Sequence, residues 1–261
     1  MKYGIQDGCL RQPWEQVFAA AGRIGFDGVE LDIGANYRDI PWWTPAGRDQ
    51  IRRWAAESGC VLASVCLGAY WKLSPADPNP AVRDEALELT AQSLRFCREM
   101  GVAGILAPVT PGPNTDMEAG TARWIEFLKR CGPVLEETGV TLALENVGRG
   151  YGGTAAQLLH LIEAAGAPHL GVYYDPGNGV SLKQDPAAEI RQIGHQHMAF
   201  MHAKDPGGEH LGEGTLDWAA VVAAIRAIGY NGWQTLETSA TNDPPAAAAR
   251  NLAFLRRQFG D

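Results

Sequence analysis

The 261-residue chain has no run of about 18 consecutive apolar residues, the length a membrane-spanning helix requires. Its first residues, Met1-Lys-Tyr-Gly-Ile-Gln-Asp7, lack the apolar segment of a secretory signal, so a cytoplasmic protein without a membrane partner is expected. None of the five cysteines (Cys9, Cys60, Cys66, Cys97, Cys131) forms a C-x-x-C pair, which argues against a zinc knuckle or a disulfide framework and predicts buried free thiols. Positive charge is also short: 22 Lys and Arg stand against 30 Asp and Glu, for a net charge of −8. Nucleic acid is held by clustered Lys and Arg that displace counterions from phosphates. An acidic chain points instead to a small neutral or cationic substrate, with no nucleic-acid partner.

What is present alternates. Short β-rich runs near 2–5, 28–32, 61–66, 104–107, 141–145, 170–175, 198–203 and 232–237 are separated by amphipathic stretches. These lie near 13–24, 46–58, 80–100, 117–138, 154–165, 186–193, 217–228 and 244–259. Eight strands alternating with eight helices over a length close to the roughly 250 residues of a (β/α)8 barrel predict a single TIM-barrel domain spanning 1–261. Asp27-Gly28, Gly101, Gly139, Gly166 and Gly229 mark the helix-to-strand connections, where a left-handed residue is expected. Pro80 and Pro186 suit first helical turns, and Thr215-x-Asp217 offers a helix start. The strand-to-helix loops are longer and carry Tyr37, Trp42, Trp43, Tyr70 and Trp71, which suit either a sugar pocket or ordinary burial.

Glu145, Asp175, His202 and Glu237 each end a short apolar run, at successive separations of 30, 27 and 35 residues. In a barrel the strand ends share one rim, so residues distant in sequence converge there. An ionised carboxylate at the end of an apolar strand needs a partner, because burying an unpaired charge costs several kcal/mol. Three carboxylates and one imidazole form a hard, oxygen-rich donor set suited to Mn²⁺ or Mg²⁺ and compatible with Co²⁺ or Zn²⁺. The competing reading is a structural salt-bridge network with Lys204 and Arg149 as its cations.

Several stretches resemble the sugar phosphate isomerase/epimerase family, the xylose-isomerase-like TIM barrels. They are Gly25-Phe-Asp-Gly-Val-Glu-Leu31, Leu142-Ala-Leu-Glu-Asn146, Gly171-Val-Tyr-Tyr-Asp-Pro-Gly-Asn178, Met201-His-Ala-Lys-Asp205, Leu211-Gly-Glu-Gly-Thr-Leu-Asp-Trp218 and Gly229-Tyr-Asn-Gly-Trp-Gln-Thr-Leu-Glu237. The resemblance covers essentially the whole chain. It implies that Glu145, Asp175, His202 and Glu237 are metal ligands and that Glu145 and Glu237 also transfer protons. A divalent cation on two neighbouring sugar oxygens would stabilise the enediolate left when a proton departs from the adjacent carbon. An epimerase needs two proton-transfer groups on opposite faces. A one-face isomerase manages with one.

Departures from the family pattern narrow the expectation. Many members carry a His three residues after the strand 6 Asp, where this chain has Asn178, a group able to orient substrate but not to shuttle a proton near neutral pH. Ketose 3-epimerases tend to place an Arg beyond the strand 7 His, and this chain reads Lys204-Asp-Pro-Gly-Gly208. Lys204 shares a strand face with His202 and is expected to reach substrate, or else to pair with Asp205 or Glu237. Glu213, Arg149 and Trp71 complete the candidate substrate contacts, and Glu30 at the end of strand 2 is a candidate support behind the ligands. Related apurinic-site endonucleases take zinc ligands from histidines on earlier strands, whereas no histidine precedes His160 here. The expectation is a metal-dependent isomerase or epimerase of an unphosphorylated keto-sugar. The alternatives are a lyase on the same scaffold, of the inosose-dehydratase or 3-keto-glycoside-cleaving type, and a non-catalytic sugar-binding barrel. A homo-oligomer or a partner subunit is compatible with the mouth-loop aromatics.

Overall fold

The computed structural model describes every residue except 114, 115, 148–150, 209, 239, 240 and 261. Eight parallel strands form a closed barrel: β1 (Lys2–Gln6), β2 (Gly28–Asp32), β3 (Val61–Cys66), β4 (Gly104–Pro108), β5 (Thr141–Glu145), β6 (Leu170–Tyr174), β7 (Met198–Ala203) and β8 (Trp233–Leu236). They neighbour one another in chain order, and pairing of Lys2 to Trp233 through Ile5 to Leu236 closes β1 on β8. Outside lie α1 (Trp14–Ile24), α2 (Pro45–Ser58), α3 (Pro80–Met100), α4 (Met117–Thr138), α5 (Ala155–Ala165), α6 (Pro176–Ser181), α7 (Pro186–His197), α8 (Trp218–Ala227) and α9 (Pro244–Phe259). The (β/α)8 expectation holds, with one addition. The six residues of α6, too few to display a helical period, form a helix because Asp175 caps its N-terminus and Pro176 supplies the first-turn φ.

Helix ends follow local chemistry. Thr44, Asn79, Asp116, Thr154, Asp185, Asp217 and Asp243 accept backbone N–H groups at helix starts, and Thr154 and Gln157 complete a reciprocal capping box. Gly101, Gly139, Gly166 and Gly229 take the expected left-handed conformation, but Gly28 does not. The residue that ends α1 is Gly25, at φ 105°. Gly28 lies inside β2 for a different reason: a Cβ there would stand 2.9 Å from both Ala63 Cβ and the Trp233 ring.

The barrel interior is small and aromatic. Cys66, Leu106, Ala143, Tyr173 and Phe200 pack together, with Tyr173 and Phe200 stacked at 5.3 Å between ring centroids. All five cysteines are buried and free. Pairing slips register at two places, between Val29 and Glu30 on β2 and between Val172 and Tyr173 on β6. Irregular pairing of this kind re-aims side chains. Both slips adjoin residues that support the site described below.

Gly104 on β4 has no room for a side chain, since a Cβ would run into the Phe200 ring. Gly104→Ala is expected to cost about 1–3 kcal/mol through overpacking, read as a lower urea midpoint at unchanged m-value.

Candidate metal centre

The upper rim gathers four side chains from four consecutive strands. Glu145 ends β5, Asp175 follows β6, His202 lies on β7, and Glu237 follows β8, its N–H donating to Ala203 O on the neighbouring strand at 3.2 Å. One donor atom from each lies within 4.8 Å of all the others. Glu145, Asp175 and His202 are buried, whereas the Glu237 side chain keeps 26% of its surface exposed and faces the mouth.

Neighbouring groups hold these side chains in place. The side chain of Asn146 grips the backbone of Asp175 twice: its Nδ2 donates to Asp175 O, and its Oδ1 accepts from Asp175 N, both at 2.8 Å. Asp175 Oδ1 accepts the N–H groups of Gly177 at 2.7 Å and Asn178 at 3.1 Å. Its Oδ2 is buried without a hydrogen bond, 3.5 Å from Lys204 Nζ. Such a bare, buried carboxylate oxygen beside three other donors fits a cation.

His202 is strung between carboxylates. Its Nε2 lies 3.0 Å from Glu30 Oε1, while its Nδ1 lies 3.0 Å from Glu145 Oε1 and 3.3 Å from Glu237 Oε2. Glu30 is fully buried inside the barrel, and its Oε2 accepts from Ser64 Oγ at 2.6 Å and Tyr173 Oη at 2.8 Å. Were Nδ1 to bind a cation, Glu30 would accept the Nε2–H, the arrangement in which an outer carboxylate orients a ligating histidine.

Charge is unbalanced across this cluster. Among the described residues, Glu30, Glu145, Asp175 and Glu237 face Lys204 and, when protonated, His202. Burial pushes Glu145 up to about 7 even though His202 opposes the rise. Burial also raises Asp175, against the pull of Lys204. For His202, burial works downward, but the carboxylates of Glu237 and Glu30 outweigh it and lift the imidazole well above its usual range. Glu237 is pushed up by burial yet ends lowered, because His202 and Lys204 both favour its anion. The cluster therefore retains protons near neutrality that a divalent cation would displace.

A cavity of about 800 Å³ opens above the cluster, lined by Glu145, His202, Glu237, Lys204, Asn178 and Trp71 among others. Its size falls within the range of small-molecule sites. Lys204 reaches Glu237 Oε2 at 2.8 Å, while Asp205 turns away from it and accepts from Gly212 N, Gly214 N, Leu216 N and Trp218 Nε1 at 2.8 to 3.3 Å. Glu213 does not enter the cavity lining; it pairs with Arg250 at the surface. Arg149 lies outside the described residues. Of the mouth-loop aromatics, Trp71 alone lines the cavity, 63% exposed. Trp42 is buried against Trp14, Trp43 meets Phe96 edge-on, Tyr70 is buried beside Trp124 and Phe127, and Tyr37 pairs with Glu85.

Asn146, Tyr173 and Ser64 escape a sequence reading of the site, since their parts depend on neighbours in other strands. Alternation places Asn146 on the opposite face from Glu145 but does not reveal its contact with the backbone of Asp175.

Glu30→Gln keeps the shape but removes the charge behind His202. Divalent-cation affinity is expected to fall about 10- to 100-fold, measured by calorimetric titration, with far-UV circular dichroism unchanged.

Residues 18–258 match the family model described as a xylose isomerase-like TIM barrel. An L-ribulose-5-phosphate 3-epimerase of Salmonella paratyphi C is 26% identical over 243 residues, covering 90% of this chain and 85% of that protein. Two solved structures share the fold. The L-ribulose 3-epimerase structure superposes with a TM-score of 0.85 at 22% identity, over 100% of this chain and 95% of the other. The D-allulose 3-epimerase of Methylomonas sp., in complex with D-allulose, gives a TM-score of 0.84 at 19% identity, over 99% and 97%. Barrel, rim and family model agree: the chain belongs to the xylose isomerase-like TIM barrel family.

Proposed function

We propose that this protein is a divalent-metal-dependent epimerase or isomerase of a keto-sugar. The observation that carries the reading is the convergence of Glu145, Asp175, His202 and Glu237 on one point at the floor of a sugar-sized cavity, with two glutamates flanking the same imidazole nitrogen. The names of the relatives and structural neighbours, epimerases of L-ribulose 5-phosphate, L-ribulose and D-allulose, support it.

Glu145, Asp175, His202 and Glu237 would hold the ion, and the hard donor set favours Mn²⁺ or Mg²⁺ over softer metals. A bound divalent cation would supply Lewis acidity at two neighbouring sugar oxygens. The side chains do the rest. One of Glu145 and Glu237 takes the proton from the carbon beside the carbonyl, and the C–H electron pair moves into the enediolate. The other returns a proton to the opposite face, which inverts that carbon. The two glutamates enter from separated strands, β5 and the end of β8, as two-face chemistry requires. Lys204 holds Glu237 in its charged form and in position. Asn178, on α6, offers an amide to orient a hydroxyl.

Turnover of ketoses by the Mn²⁺-loaded protein in D₂O is expected to place deuterium next to the carbonyl of an isomeric product, read by NMR and mass spectrometry. Glu237→Gln should lower that turnover by about 10²- to 10⁴-fold. Turnover of the variant at the wild-type rate would remove Glu237 from proton transfer, and loss of water or an aglycone from the substrate would make the enzyme a lyase.

Cation binding carries a pH signature. Glu145, raised to about 7, and His202, raised further, hold protons in the metal-free protein and must release them to ligate. Affinity should therefore rise with pH through neutrality, with proton release detected by calorimetry in buffers of different ionisation enthalpy. A pH-independent affinity between pH 6 and 8 would contradict the assignment.

A further inference from the structure

The cation cluster and the glutamate pair account for the floor of the cavity but not for its β2–β3 side. There Asp32, the last residue of β2, lines the cavity with Gly34, Cys66, Gly68 and Trp71. Glu30 and Asp32 are two residues apart and so share the inward face of the strand. Glu30 grips His202 from within the barrel, and Asp32 stands one step, about 6–7 Å, nearer the solvent.

The carboxylate is held as a fixed acceptor. Its Oδ1 takes the Gly68 N–H at 3.1 Å, and the thiol of Cys66, its partner across the β2–β3 pairing, donates to it. Glycines keep the surroundings open: a Cβ at Gly68 would collide with Oδ1, and one at Gly34 would approach Oδ2 to 3.2 Å. Burial pushes Asp32 up to about 6 against the Cys66 hydrogen bond, which leaves the group mostly ionised at neutral pH.

Cations to receive an anionic substrate end are scarce here. Among the described residues, Lys204 and His202 are the cationic side chains lining the cavity, and carboxylates already engage both. Arg11 lines a smaller adjoining pocket of about 320 Å³ on the other side of Asp32, where it shares the walls with the buried carboxyl of Asp7.

We propose that Asp32 is a specificity-determining residue that accepts hydrogen bonds from neutral hydroxyls at the sugar end remote from the cation site and excludes a phosphorylated end. The proposal rests on the keto-sugar reading above. A carboxylate can accept from two neighbouring hydroxyls at once. A phosphate dianion brings no proton at neutral pH and meets like charge in a partly desolvated wall, where screening is weak. Trp71, exposed at the rim, presents a ring face against which the C–H side of such a hydroxylated end can lie while Asp32 takes its polar side.

L-Ribulose and L-ribulose 5-phosphate form a matched pair of probes, identical at the reacting end. Binding of each to the Mn²⁺-loaded protein would be measured by calorimetry, and deuterium exchange in D₂O would be followed in parallel. Wild type is expected to bind the free sugar at least tenfold more tightly. Asp32→Asn should narrow that ratio at least tenfold with Mn²⁺ affinity unchanged, and Asp32→Ser should narrow it likewise, which guards against one misfolded variant. Tighter binding of the phosphate ester by wild type, as if Arg11 captured it, would overturn the proposal. So would a ratio unmoved in both variants. The expected ratios without deuterium incorporation would sustain Asp32 and overturn the enolisation reading, whereas binding of neither sugar would overturn both.

Discussion

The structure is organised around a buried excess of negative charge. Four carboxylates meet near His202, and among the described residues fewer cations than anions lie within reach. A barrel interior tolerates this only if protons or a bound cation make up the difference, because desolvated like charges repel at short range. The surrounding scaffold is arranged accordingly. Glu30 sits within the barrel, held by Ser64 and Tyr173; Tyr173 is stacked on Phe200; and Phe200 fits because Gly104 has no side chain. The path from a glycine on β4 to the imidazole on β7 passes through four contacts, two of packing and two of hydrogen bonding, all between strand residues rather than loops.

Support and chemistry occupy different layers. Inside the barrel, side chains orient His202 and do not meet the cavity; at the rim, Glu145, Asp175 and Glu237 converge; above them, residues on the connections shape the mouth. Asp175 links two of these layers, with Oδ1 satisfied by the start of α6 and Oδ2 left bare. Its geometry is thus set by the fold itself, and a group held in this way would lose little freedom on taking up a cation.

How much of this could be read from residue order follows from where the information resides. The convergence of the four rim residues was legible because each terminates an apolar run, and a barrel sends all such termini to one rim. Glu30, expected at the end of strand 2, lies instead in the middle of β2 and meets His202 from within the barrel. Asn146 was not legible, since its role exists only through the backbone of the next strand. Glu213 showed the opposite failure: flanking glycines suggested a loop at the mouth, but the path of the β7–α8 connection carries it to Arg250. Trp42 and Tyr70 suited either a pocket wall or ordinary burial, and burial prevails because loop aromatics next to helices have a large apolar area to cover. The short helix α6 had too few residues for any period, and Gly28 sits three residues too late to be the cap that Gly25 provides.

Asp205 illustrates how one anion can govern a segment's motion. Gly212, Gly214, Leu216 and Trp218 all donate to its carboxylate, so the far part of the β7–α8 connection is tethered to a single point beside Lys204, two residues past the end of the strand that carries His202. Fraying one residue at a time would strand the remaining donors around a buried charge. Release of that segment would therefore be cooperative, an opening event of one unit rather than gradual loosening, because its four donors share a single acceptor.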